Sequence, residues 1–206
     1  MKNKRRVIGN ILLITGLLFL LGAGGLYFYN MVESNLQSED SLLLTSKVKS
    51  FVSEAESTAP SENSGNLGYL MPDEQIELVP EIVDGSLFDG VLTMPSIDLE
   101  MAVYDTWNET YLRKSVCRYY GSPYTNDFVI AGHNYRSGFG KLKQLKVGDM
   151  IYFTDMKGNV IAYEVKLTEV IDGTDISGML SGGWDLSLYT CTYGGEARYT
   201  VRCSRV

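Results

Sequence analysis

The chain carries one histidine, His133, in 206 residues. Any reaction step that needs an imidazole must take it from that position. Basic residues are also short: 18 Lys and Arg stand against 25 Asp and Glu, for a net charge of −7. From residue 87 onward the bases are scattered among a slight excess of acids, which excludes the basic footprint of a nucleic-acid binder. No internal repeat is visible, so a solenoid is excluded. No cluster of carboxylates or Cys/His pairs has metal-ligand spacing, and no required cofactor or metal is expected. The three cysteines, Cys117, Cys191 and Cys203, are an odd number, which excludes a fully paired disulfide framework. Cys117 and Cys203 read as small buried hydrophobes, with a pairing between them left open.

Long uncharged apolar stretches are confined to one place. Val7 to Tyr29 is an uncharged run of 23 residues. As a helix at ~1.5 Å per residue it spans ~34 Å, enough for a ~30 Å hydrocarbon core. Lys2, Lys4, Arg5 and Arg6 precede it without an acid, so residues 1–6 are expected on the cytoplasmic side and the remainder outside. The reading is a single-pass anchor in the cell membrane. The competing reading is a cleaved signal peptide, whose apolar region would be only ~7–15 residues.

Residues 30–86 hold eleven acids and two lysines. "SEAESTAPSENSGN" has almost no large apolar side chain with which to offset ordering entropy. The segment reads as an extracellular stalk, with a short helix over "SLLLTSKVKSFV" and an extended linker over "MPDEQIELVPEIVDG".

The character changes at residue 87. "LFDGVLTMPSIDLEMAVYD" reads as two strands joined through a proline, and "NETYLRKSVCRYY" as a short helix capped by Asn108. "DFVIAGHN" is a buried strand that ends at Gly132-His133. "MIYFTDMKGNVIAYEVKLTEV" is strand, turn, strand, and "IDGTDISGMLSGGWD" is a Gly-rich loop before two last strands. Seven or eight short strands in residues 87–206 suggest a sandwich or a closed barrel.

In "DLSLYTCTYGGEARYTVRC" the alternation puts Leu186, Leu188 and Thr190 on one strand face and Ser187, Tyr189 and Cys191 on the other. After the turn, Ala197, Tyr199, Val201 and Cys203 share a face, and Arg198, Thr200, Arg202 and Ser204 share the opposite one. A lone strand cysteine is more often structural. A guanidinium across a hairpin changes that balance, because it favours a thiolate or binds a developing oxyanion. Cysteine, histidine and arginine together suit acyl transfer: thiolate attack, protonation of the leaving amine, and charge stabilisation. Arg198 and Arg202 both qualify. Arg198 is chosen, since Arg202 lies ~13 Å further along an extended strand.

These motifs resemble the sortases, cysteine transpeptidases of Gram-positive cell surfaces. The family signature Thr-Leu-X-Thr-Cys stands here as Ser187-Leu188-Tyr189-Thr190-Cys191, with Ser for the first Thr. "VIAGHN" matches the context of the family histidine, and "GGEARYTVR" that of its arginine. The resemblance covers residues 87–206 and implies an all-β fold, an eight-stranded barrel with short helices behind an N-terminal membrane helix. It implies Cys191 as nucleophile, His133 as general acid/base, Arg198 as oxyanion or substrate group, and Thr190 as a substrate contact. The implied partners are proteins with a Leu-Pro-X-Thr-Gly-like sorting signal and an amine of the cell wall. The chain lacks the Asp-Pro-aromatic lid of pilin-joining sortases and looks most like the compact clostridial and sporulation-associated (class D-like) members. Wall anchoring is therefore expected ahead of pilin joining. Papain-like wall hydrolases are set aside by residue order, since their cysteine precedes their histidine. A non-catalytic anchored β-domain that binds surface polymers is the alternative from another class.

Overall fold

The computed structural model describes residues 2–58, 77–192 and 194–206. The polar stretch 59–76, which holds the start of the expected linker, lies outside the described residues, as does Tyr193. Helix α1 runs over Lys2–Thr58. The chain divides into two compact units, Met1–Gln37 and Ser38–Val206. In the first, Ile8–Tyr29 is long and apolar enough to cross a membrane, and its side chains are exposed.

The second unit begins well before residue 87. The part of α1 that lies in it covers the helix expected over "SLLLTSKVKSFV" and buries Thr45, Val48 and Val52. Their spacing places them on one helix face. Strand β1, Glu81–Val83, follows, and pairs with β2, Ser86–Met94, through the turn Asp84-Gly85. Both turn residues have positive φ, 49° and 77°, the primed geometry that matches strand twist and that an Asp-Gly pair adopts readily. This hairpin stands where an extended linker was expected. Two prolines ahead of it, Pro72 and Pro80, obscured the "EIV-DG-SLF" pattern.

The remaining strands are β3, Leu99–Tyr104; β4, Val116–Tyr120; β5, Phe128–Gly132; β6, Met150–Asp155; β7, Val160–Asp172; β8, Leu186–Cys191; and β9, Ala197–Arg205. Two short helices intervene, α2 over Glu109–Leu112 and α3 over Ile176–Leu180. Asn108 caps α2 as expected, accepting from the N–H of Tyr111 at 2.8 Å. The strand order is β1-β2-β3-β4-β5-β8-β9-β7-β6, and β2 also pairs with β6. That last pairing closes β2 to β9 into the eight-stranded barrel, with β1 appended along the β2 seam.

Alternation along the strands produces two apolar layers. Leu92, Val103, Ile130, Phe153, Leu188 and Val201 fill the barrel interior. Val48, Val52, Val91, Ala102, Tyr104, Cys117 and Ala131 form a second layer on the outer face. Cys117 and Cys203 lie in different layers and are free thiols. Burial pushes each of these thiols up to about 12.

Candidate active site

Three neighbouring strands build the site. β5 and β8 run parallel, and their last register pair is Gly132 with Thr190. His133 and Cys191 are the next residues, so they leave adjacent strands at the same level, on backbones about 4.8 Å apart. β8 and β9 are antiparallel, with Cys191 directly opposite Arg198. Register partners project to the same side, with Cβ atoms about 4.5–5.5 Å apart. The backbones of His133, Cys191 and Arg198 therefore stand in one row across three neighbouring strands.

Gly132 is required by packing at this strand end. A Cβ there would meet Phe139 Cδ2 at 2.6 Å and Val116 Cγ1 at 2.9 Å. The close seat of Phe139 fixes where the chain turns out of β5 and hence where the imidazole starts. The His133 side chain is a quarter exposed. Its Nε2 lies 3.4 Å from Glu109 Oε1, at ion-pair distance but outside hydrogen-bond geometry. Glu109 opens α2, and its carboxylate also lies 3.6 Å from Arg113 Nε. Tyr135 stands edge-on to the imidazole, ring centroids 5.1 Å apart. Sequence reading passed over Glu109. Its only prior signal was its place just after the Asn108 cap.

Cys191 is half-buried, unlike the two core thiols. Beneath it on the same face, Tyr189 packs edge-on against Tyr119 with centroids 5.5 Å apart. Arg198 Nη1 donates to the carbonyls of Gly195 at 2.9 Å and Ala197 at 3.3 Å, so the guanidinium rests on the β8–β9 turn. An arginine has five N–H donors, so others stay available to a substrate oxygen. The loop after β7 reaches the same place: Gly173 donates to the Glu196 carbonyl at 2.9 Å. The hydroxyl and then the N–H of Thr174 hold the Asp172 carboxyl below the usual carboxylate range, with Arg198 contributing to the same effect.

The other two residues singled out in the sequence lie off the row. Thr190 is fully buried, pairs in register with Tyr199, and shares the inner face with Leu186 and Leu188. Its hydroxyl has no hydrogen-bond partner among the described residues. Arg202 is register partner to Ser187, two same-face positions along the strand from Arg198, and is 2% exposed. It forms an ion pair with Glu169, Nε to Oε1 at 2.8 Å.

A cysteine, a histidine and an arginine at neighbouring strand positions are the residue types that acyl transfer requires. The sequence profile of the Sortase domain matches residues 92–206. The chain belongs to the sortase family. Sortase A of Listeria monocytogenes is 30% identical over 93 residues, a match covering 43% of this chain and 41% of that relative. Its solved structure superposes with a TM-score of 0.51 at 27% identity, covering 57% of this chain and 86% of that one. Streptococcus agalactiae sortase C1 gives 0.51 at 26% identity, over 58% of this chain and 67% of that one. A Clostridium perfringens sortase D5 transpeptidase gives 0.52 at 24% identity, over 61% and 82%, a likeness of fold. Sortases are cysteine transpeptidases, and the row found here provides side chains suited to that chemistry.

Proposed function

We propose that this sortase is a membrane-anchored transpeptidase that cuts a Leu-Pro-X-Thr-Gly-like sorting signal and joins the acyl half to a cell-wall amine. The observation that carries the reading is the Cys191–Arg198 register pair with His133 at the end of the adjoining parallel strand. The Cys191 thiolate attacks the Thr carbonyl carbon and forms a C–S bond. Arg198 balances the oxyanion. The C–N bond breaks, the His133 imidazolium gives its proton to the departing amine, and a thioester remains. An incoming amine then attacks the thioester and yields a proton to the imidazole, and the thiolate leaves with a new amide formed. No cofactor enters either half-reaction.

Thr190 acts in this scheme through its backbone, which sets the level of Cys191 against Gly132, since its side chain faces inward. Residues 7–29 anchor the chain in the cell membrane, with Lys2, Lys4, Arg5 and Arg6 on the cytoplasmic side and the barrel outside. Among sortases it is read as a compact single-anchor member, class D-like, that serves wall anchoring rather than pilin joining.

The test is a quenched sorting-signal peptide library with an added amine acceptor, read by mass spectrometry. The expected result is an acyl adduct on Cys191, a product joined to the amine, and loss of both in Cys191→Ala. No adduct with any signal variant, together with a Cys191 inert to alkylation, would instead support a surface-polymer-binding β-domain.

A further inference from the structure

The loop between β7 and β8 contains α3, a helix of five residues. Gly173, Gly178, Gly182 and Gly183 surround or interrupt it, and one turn of helix in such a sequence does not hold itself. Its start is tied by Asp175, which accepts from the Gly178 N–H at 2.8 Å and the Ser177 hydroxyl at 2.9 Å. A Cβ at residue 178 would meet Asp175 Oδ2 at 2.2 Å, so the tie requires glycine.

Its far end is tied by Arg202. Nη2 donates to the Gly178 carbonyl at 2.6 Å, and Nη1 to the Met179 carbonyl at 2.8 Å and to Ser187 Oγ at 2.8 Å. Nε donates to Glu169 at 2.8 Å. The carbonyls at a helix end have no partner within the helix, and a cation is favoured there. One buried guanidinium thus joins β7, β8, β9 and α3. Ser187, which stands where the sortase motif has threonine, is one of its anchors.

The same loop reaches the reacting row. A Cβ on Gly173 would stand 3.2 Å from Arg198 Nη1. The loop is therefore fastened at Arg202, and its first residue lies against Arg198.

We propose that Arg202 is a positioning residue that clamps α3 and with it the loop that lies against Arg198, so that it governs how the donor peptide is held and not how its bond is broken. This rests on the transpeptidase reading. It also assigns the second arginine of the strand a role distinct from that of Arg198.

The experiment uses the full chain in detergent, with Arg202→Lys as the first variant. Lysine keeps the charge but lacks the fork that reaches four acceptors. Three readouts are taken: steady-state kinetics on a Leu-Pro-X-Thr-Gly-like peptide, the rate of Cys191 alkylation by iodoacetamide, and amide exchange over residues 174–181. Arg202→Lys is expected to raise KM about tenfold, with kcat and alkylation within about twofold of the parent. Exchange in α3 should be about tenfold faster while β8 and β9 keep their protection. Glu169→Gln, which removes the charge of one partner near the surface, should give the same pattern about two- to fivefold, and decides the matter if Arg202→Lys does not fold. Unchanged α3 exchange overturns the clamp. Unchanged KM with a lower melting temperature overturns its role in donor binding, and a collapse of kcat and alkylation with KM intact moves Arg202 into the reacting centre. If the parent acts on no peptide, the transpeptidase reading fails and the donor role fails with it. The exchange readout still decides whether Arg202 holds α3.

Discussion

Cys191 and Arg198 face each other across the β8–β9 pair, seven positions apart in the chain yet direct neighbours in the sheet. The tight turn between them makes this so. Because Arg198 rests on the carbonyls of that turn, its cation is held at the strand end that carries the thiol before any substrate arrives. Removing a preorganised group of this kind costs about 10²–10³ in kcat. Arg198→Ala should therefore lose at least that much turnover while Cys191 stays reactive to iodoacetamide, and the two rates measured side by side check it. Retained turnover would show that another group carries the charge.

The thiols differ in access. Cys117 and Cys203 are buried, and their thiols are pushed up to about 12 by that burial, so neither presents a thiolate in the native protein. Native alkylation should add one label per chain, at Cys191, and denaturation should raise it to three. Intact-mass spectra before and after urea read this directly.

Gly132 offers a way to move the imidazole without replacing it. An added methyl would collide with the Phe139 ring, so Gly132→Ala should cost about 1–3 kcal/mol and displace His133. Gly132→Ala combined with Phe139→Leu should recover part of both stability and activity. Failure of the double variant to improve on the single one in urea melts would remove Phe139 as the cause.

Asp89 sits at a bulge in β2, fully buried, with Arg118 Nε 3.0 Å from Oδ2. Burial raises its carboxyl from 3.8 to about 7, Arg118 lowers it in part, and Asp105 raises it further. Between about pH 4 and 7 the folded chain keeps a proton that the unfolded chain has released. Stability therefore falls as pH rises through that window and levels off above it, by an amount on the order of a few kcal/mol. Asp89→Asn should flatten this dependence and be the more stable protein at pH 8, as thermal melts at several pH values would show.

The stable unit should start earlier than residue 87. Val48 and Val52 are buried in the outer apolar layer, the Ala102 N–H donates to Thr45 Oγ1 at 3.1 Å, and β1 extends the seam. Each buried valine contributes about 1.5–3 kcal/mol. A chain begun at Ser38 should resist urea to a clearly higher concentration than one begun at residue 87, and equal midpoints would contradict this.

Much of the site could be read from residue order. The strand ending in Gly132-His133 and the strand ending at Cys191 were both marked by apolar runs that stop at a polar group. The register that sets Arg198, and not Arg202, opposite Cys191 followed from hairpin distance. The face of Thr190 was also present in the alternation, which grouped it with Leu186 and Leu188, although motif likeness drew it toward the substrate. Thr45, Val48 and Val52 form a helical stripe inside an acidic segment, and overall composition masked it. The tie between Arg202 and α3, and the approach of Glu109 to His133, join residues far apart in the chain. No local periodicity encodes such meetings, because they depend on which strands the barrel brings together.

Closure of the barrel has a consequence for fidelity. If β8 slipped by one residue, Thr190 would turn outward and Cys191 would turn into the core. In an open sheet such a slip could be absorbed at a free edge. A ring has no edge, so an offset at β8 must be repeated around all eight strands or appear as a fault at a seam such as β2–β6, where Gly90 meets Asp155 and Thr93 meets Tyr152. The orientation of Cys191 is thus held by the whole circumference, and the far wall of the barrel acts as a lock on that thiol.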